Sequence, residues 1–170
     1  RYAPQPLTGA CLACGAGFQT NNATEATTCT PCNSGEYASS PLTVTCSKCP
    51  VGRSSTSGQS SCAACESGKY SDVEDSSACA ACEEQGTTSL EGAAGCLVCK
   101  EGYFRYNNLK CVECGYGAYK GAACPNEGTT LQTVAVEKGW WRSSSSSAKF
   151  RRCPEKELCV GGIDEEICFG

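Results

Sequence analysis

Histidine and methionine are absent from this 170-residue chain. Without histidine it lacks the usual general base, the usual nitrogen ligand of zinc and the side chain that titrates near neutrality, so Ser-His-Asp, Cys-His and histidine-ligated metal chemistry are excluded. Large apolar residues are scarce too. Leu, Ile, Val and Phe together number 22, about 13% of the chain, below the roughly 20% that goes with an ordinary apolar core. A large packed scaffold of the kind that holds catalytic groups in place is therefore not expected. No apolar run approaches the roughly 18 residues of a membrane-spanning helix. The net charge is a mild −4, which supplies no field for nucleic acid or for contact with an anionic membrane. The start, Arg1-Tyr2-Ala3-Pro4, has neither an initiator Met nor an apolar signal core. A secreted chain needs a signal, so a cleaved signal or an upstream continuation is expected.

Cysteine is what the chain has in excess, 18 residues of 170, the density of a disulfide or metal scaffold. Fourteen of the cysteines form seven C-x-x-C pairs: Cys11/Cys14, Cys29/Cys32, Cys46/Cys49, Cys62/Cys65, Cys79/Cys82, Cys96/Cys99 and Cys111/Cys114. Successive pairs are 15 to 18 residues apart, the regularity of a tandem repeat. Gly stands three residues after the second cysteine at Gly17, Gly35, Gly52, Gly68, Gly102 and Gly117, and slips by one to Gly86 in the fifth repeat. A turn or close backbone approach is expected there. A slower alternation comes after the glycines. Tyr37, Tyr70, Tyr103, Phe104 and Tyr119 occupy one set of repeats, while Ser54-Ser55-Thr56 and Thr87-Thr88-Ser89 occupy the other. The aromatics are expected either to pack on a neighbouring disulfide or to lie half-exposed, and the hydroxyl step to face water.

The linkers are Thr, Ser, Ala, Gly, Asn and Asp, with no 3.6-residue stripe and no long alternation, so two- or three-residue bridges and turns are predicted. From Thr130 the texture changes. Leu131 to Val136 alternates as a strand, Lys138-Gly139 turns, and Trp140-Trp141-Arg142 is separated by Ser143 to Ser147 from Ala148 to Arg152. That pattern predicts a β-hairpin with a serine loop. Five serines are equally the composition of a solvated, disordered or O-glycosylated tip.

Paired C-x-x-C is also how a four-cysteine zinc site is written. Zinc would consume the pairs two at a time and leave one over, whereas 18 cysteines divide evenly into bridges. No apolar strand precedes any pair, as thioredoxin-type redox chemistry needs, and ferredoxin spacing is missing. Disulfides, and with them an oxidising compartment, are the favoured reading. Loop lengths favour bonding the second cysteine of each pair to the first of the next: Cys14 with Cys29, Cys32 with Cys46, Cys49 with Cys62, Cys65 with Cys79, Cys82 with Cys96, Cys99 with Cys111, and Cys114 with Cys124. Each such loop lowers the entropy of the unfolded chain by about 3 kcal/mol. A crossed scheme, first to first and second to second, is the alternative. Cys11, Cys153, Cys159 and Cys168 stay unassigned.

The run Cys46-Ser-Lys-Cys49-Pro-Val-Gly52 succeeded by Cys62-Ala-Ala-Cys65-Glu-Ser-Gly68-Lys-Tyr70 resembles the ephrin-receptor-like cysteine-rich repeat, in the style of tumour-necrosis-factor-receptor and EGF-like modules. The resemblance covers Cys11 to about Cys124. The tail Gly139-Trp140-Trp141-Arg142 with Arg152-Cys153-Pro154 and Cys159-Val-Gly161-Gly162 resembles the segment C-terminal to such repeats in large surface proteins of algae, ciliates and oomycetes. The resemblance implies an elongated, disulfide-laddered rod in an ectodomain, without catalytic residues, and a chain cut from something longer. The second-to-first pairing looks like its receptor-type loop. Departures at the fifth and seventh repeats mark places for a bend.

The expected fold is thus small and disulfide-rich: an elongated tandem-repeat rod with little regular secondary structure and a C-terminal β-hairpin. Its divisions are an extended segment at 1–10, repeats at 11–124 and a hairpin and Cys segment at 125–170. No catalytic residue, metal site or cofactor is expected. Glu74-Asp75, Glu83-Glu84 and Glu165-Glu166 read as solvated charge, with a weak calcium site the lesser alternative. Asn22-Ala23-Thr24 is the one N-glycosylation sequon, so Asn22 is expected to carry a glycan. Lys138, Arg142, Lys149, Arg151, Arg152 and Lys156 form a basic cluster read as a solvated face or a dock for an acidic neighbour.

Two functions without chemistry are compatible with these features. One is an extracellular structural protein, a spacer or subunit of a surface coat, fibre or appendage. The other is a receptor or adhesin ectodomain that binds a protein or glycan. The expected partners are other extracellular domains or subunits, self-assembly included, with no nucleic acid and no membrane contact. The interface is expected at about Val134 to Arg152, on Trp140, Trp141, Phe150, Arg142, Arg151 and Arg152, one Trp packing at home and the other on the partner. Burial of both rings as a miniature core over the Cys153 and Cys159 loops is the alternative.

Overall fold

A computed structural model describes residues 13–20, 28–107 and 110–163. Cys11, Asn22, Cys168, Glu165-Glu166 and the segment 1–10 lie outside the described residues. Among the described residues the regular structure is eight two-stranded antiparallel hairpins and two 3-10 turns, at Gly117–Tyr119 and Lys156–Leu158. The hairpins are β1 Phe18–Gln19 with β2 Thr30–Pro31, β3 Glu36–Tyr37 with β4 Ser47–Lys48, β5 Arg53–Ser54 with β6 Ala63–Ala64, and β7 Lys69–Tyr70 with β8 Ala80–Ala81. They continue as β9 Thr87–Thr88 with β10 Val98–Cys99, β11 Tyr103–Tyr106 with β12 Lys110–Glu113, β13 Ala122–Ala123 with β14 Ala135–Val136, and β15 Trp140–Trp141 with β16 Arg151–Arg152. Small polar linkers leave little apolar surface to pair, so strands end after two residues except where Tyr103–Tyr106 supplies a longer aromatic run.

The disulfides run from the second cysteine of each pair to the first of the next, Cys14–Cys29 through Cys114–Cys124. Cys153 bonds Cys159. All sixteen described cysteines are thereby oxidised, which leaves no thiolate among them for a zinc ion. The chain divides into two compact units: the described parts of Arg1–Cys82 with Ser89–Cys96, and of Glu83–Thr88 with Leu97–Gly170.

In the first unit each repeat is locked to the next by backbone. The N–H groups of Gly17, Gly35, Gly52 and Gly68 donate to the carbonyls of Ala38, Ser55, Ser71 and Ser89, at 2.8, 2.8, 2.8 and 3.0 Å. Each acceptor lies three residues past the next repeat's glycine. Hairpin tips add a second tie, with the N–H groups of Gly58, Asp75 and Gly92 donating to the carbonyls of Cys32, Cys49 and Cys65. Gly52 shows why glycine is required. Its φ is +78°, and a Cβ there would stand 2.0 Å from the carbonyl oxygen of Gly92.

The interior of this unit is cystine, hydroxyl and backbone. Ser55, Ser71 and Ser89 are buried, as are Thr87 and Thr88 in the second unit. This corrects the expectation that the hydroxyl step faces water. The Ser55 hydroxyl donates to the Glu36 carbonyl at 2.8 Å and the Ser89 hydroxyl to Lys69 at 2.6 Å. A small hydroxyl fits where repeats close on each other and satisfies a carbonyl of the neighbouring repeat. Tyr37 and Tyr70 are the half-exposed partners of that alternation.

The second unit has a true apolar core. Phe104, Ala122, Cys124, Val134, Val136 and Phe150 are buried together, with Tyr106, Val112, Cys114, Tyr119, Leu131, Trp140 and Trp141 packed on them. Phe104 and Tyr119 meet edge to face at 5.2 Å. The predicted strand over Leu131 to Val136 shortens to Ala135–Val136. Ahead of it Thr130 turns back, its carbonyl accepting from Thr133 and Val134.

Candidate functional site

The seventh repeat departs from the expected spacing. Gly117 sits in a 3-10 turn with open space around it, and the hairpin begins instead at Gly121. The glycine series then runs on, with Gly102, Gly121 and Gly139 lying 19 and 18 residues apart. Gly121 and Gly139 open hairpins as their forerunners do. The N–H of Glu137 donates to the Gly121 carbonyl as that of Lys100 does to Gly86, and the N–H of Cys153 donates to Gly139 as that of Cys114 does to Gly102. The tail hairpins therefore continue the backbone register of the repeats with fewer cysteines.

In that register Val136 stands where Cys99 does, three residues before the hairpin glycine. Phe150 stands where Cys111 does, three before the closing cysteine. Cys99 and Cys111 are a disulfide, whereas Val136 and Phe150 are both buried in the apolar core. Two apolar residues of one core thus stand where the preceding repeat has a covalent staple. The spacing of Gly121 and Gly139 was the signal available in the sequence, hidden by the missing cysteines.

Trp140 lies against Gly121: a Cβ at that glycine would meet the indole Cδ2 at 2.3 Å. Tyr103 covers Gly86 in the same manner. Trp141, its neighbour on the strand, faces the other way, half-buried, with the Arg151 guanidinium 6.0 Å from its ring centroid. Both indoles thus rest on the module's own core.

Phe150 and Arg142, expected at an interface, are turned inward, 9% and 7% exposed. The physical reason is the repeat register: Phe150 fills a cystine position, and Arg142 falls three residues past Gly139, the place where repeats close. The Arg142 guanidinium donates to the carbonyls of Leu131, Ser145 and Gln132 at 2.6, 3.1 and 3.3 Å and stands 6.0 Å from the Phe150 ring centroid. None of the ion pairs among the described residues includes it. Burial pulls its pKa below the ordinary guanidinium value. It ties the serine loop to the Leu131 turn.

What remains on the outside of this hairpin is Arg151, Arg152 and Lys149, all exposed, beside the half-exposed face of Trp141. Lys138 is engaged by Glu157 at 3.3 Å. In the first unit a cleft of about 330 Å³ is open and lined by Ser54, Ala63, Glu66, Lys69 and Ser77, and its two charged side chains pair with each other at 2.8 Å. Asp75 pairs with Lys48 at 3.2 Å. No group of three or more His, Cys, Asp or Glu among the described residues has the arrangement of a metal site.

Residues 52–95 match the family model described as tyrosine-protein kinase ephrin type A/B receptor-like. The matched stretch is about a quarter of the chain and spans two successive repeats of the ladder, so this stretch is similar to an ephrin-receptor-like cysteine-rich repeat. No curated protein matches the chain. Such repeats are typically non-catalytic, and with eight disulfides among the described residues the match points to an extracellular domain. No helix among the described residues is long and apolar enough to cross a membrane.

Proposed function

We propose that this cysteine-rich, ephrin-receptor-like chain is a non-catalytic structural module outside the cell, a spacer or subunit of a surface coat, fibre or appendage. The observation that carries the reading is the backbone lock between successive repeats of the first unit: Gly17, Gly35, Gly52 and Gly68 each donate to the repeat after, and local disulfides close the loops. A fold in which every repeat depends only on its neighbours suits a stiff spacer. Its clefts are open and its charged lining is self-paired, an arrangement poor for holding a reacting group. The contact surface is the edge of the β15–β16 hairpin, on Trp141, Arg151 and Arg152, with Arg142, Phe150 and Trp140 supporting it from inside. A glycan on Asn22 belongs to the same reading.

Labelling of native material tests it. Antibody against the chain should decorate a coat, fibre or appendage at regular intervals in electron micrographs. A receptor or adhesin would instead label the plasma membrane evenly and retain a protein or glycan from an array. That second reading has one feature in its favour, the cleft of about 250 Å³ lined among others by Thr56, Gln59, Ser61 and Ser77, whose hydroxyl and amide groups match sugar hydroxyls.

A further inference from the structure

We propose that the basic edge of the β15–β16 hairpin docks on the acidic hairpin tips of a second copy of this chain. The inference rests on the contact-surface reading and names the partner. The repeat register supplies the acceptor. Asp75 and Gly92 occupy the same tip position, each donating its N–H to the second cysteine of the repeat before, Cys49 and Cys65. Ahead of each stands the same two-residue element, an exposed aliphatic and an exposed glutamate: Val73-Glu74 and Leu90-Glu91. Val73 is 57% and Leu90 63% exposed. Neither glutamate takes part in an ion pair among the described residues.

The donor surface is the converse. Arg151 and Arg152 are exposed and have no carboxylate partner among the described residues. Trp141, beside Arg151, leaves part of its ring uncovered. Arg151 beside the Trp141 ring matches a carboxylate beside an aliphatic side chain in both charge and apolar contact, and Arg152, paired with Trp140 on the other face of the strand, adds a second positive charge to the same edge. Donor and acceptor are different surfaces of the same chain, so the contact is heterologous, and a heterologous contact that does not close generates a chain of subunits. Two equivalent tips give each copy two acceptors.

Sedimentation velocity of the full chain over a concentration series tests this. The wild type should associate at about 0.1 M salt and associate at least tenfold more weakly at about 1 M, where the screening length falls from about 10 Å to about 3 Å. Arg151→Glu/Arg152→Glu and Glu74→Lys/Glu91→Lys should each lose association, and mixing the two variants should restore it. A disulfide map and near-ultraviolet circular dichroism identical to wild type establish that both variants are folded. A wild type that stays monomeric throughout overturns the inference. Loss in the arginine variant alone also overturns it, by assigning the partner to another surface, while leaving the contact-surface reading intact. Association unchanged in both variants overturns the inference and that reading together.

Discussion

Replacing Val136 and Phe150 together by cysteine should restore a disulfide that the repeat register leaves out. The two residues are 14 apart in sequence and occupy the places of Cys99 and Cys111, whose Cα atoms stand 5.5 Å apart in their disulfide. Removing the buried Phe150 ring costs about 3 kcal/mol and trimming Val136 about 1 kcal/mol, a summed loss of about 4 kcal/mol for the reduced protein. Closing a loop of about 15 residues returns about 3 kcal/mol. The oxidised double variant should therefore lie within about 1 kcal/mol of wild type, while Phe150→Cys alone lies about 3 kcal/mol below it, a coupling of the size that double-mutant cycles resolve. Non-reducing peptide mapping and thiol titration of protein secreted from an oxidising host check the bond, and guanidinium unfolding checks the energies. Two free thiols in a folded double variant would refute the equivalence of the tail hairpins to the cysteine repeats.

Gly52→Ala places a Cβ 2.0 Å from the Gly92 carbonyl oxygen and should cost about 2 to 4 kcal/mol through backbone strain and displaced hydrogen bonds. Gly102→Ala, with φ +83° but open space around it, should cost only about 1 to 2 kcal/mol, and guanidinium unfolding with disulfides intact separates the two. Arg142→Met strips three carbonyls of their donor and should lower stability by about 2 to 3 kcal/mol, whereas Arg152→Met on the surface should stay within about 0.5 kcal/mol by the same assay. Glu66 should titrate below the ordinary glutamate range, because Lys69 hydrogen-bonds and attracts its carboxylate. Its pKa is lower folded than unfolded, so the pair's contribution is present above the unfolded value and fades as pH falls through the folded one. Carboxyl carbon NMR titration should find the depression, and Lys69→Gln should remove it.

The repeat was legible because it is written in covalent chemistry. Cysteine positions and loop lengths favour the second-to-first pairing over the crossed one without reference to packing, since a loop of a dozen residues closes wherever its ends are free to meet, and the structure decides between the two. The serine-loop hairpin was legible too, because Trp140-Trp141 and Arg151-Arg152 flank a run that forms no strand. The tail's membership in the repeat was not. Val136 and Phe150 share no chemistry with a cystine, and their equivalence emerges only once Gly121 and Gly139 are seen to make the same backbone hydrogen bonds as Gly86 and Gly102. Arg142 looks on paper like Arg151 and Arg152. One is enclosed by three carbonyls and two are exposed, because position relative to Gly139 decides which side chain the closing repeat covers. The serines at the same register position met the same fate. What the sequence determined by itself was the staple ladder, its pitch and its exclusion of histidine-based chemistry. Which hydroxyls, arginines and aromatics face inward was decided only by how each hairpin closes on the next, through contacts between residues some twenty positions apart that leave no local periodicity to read.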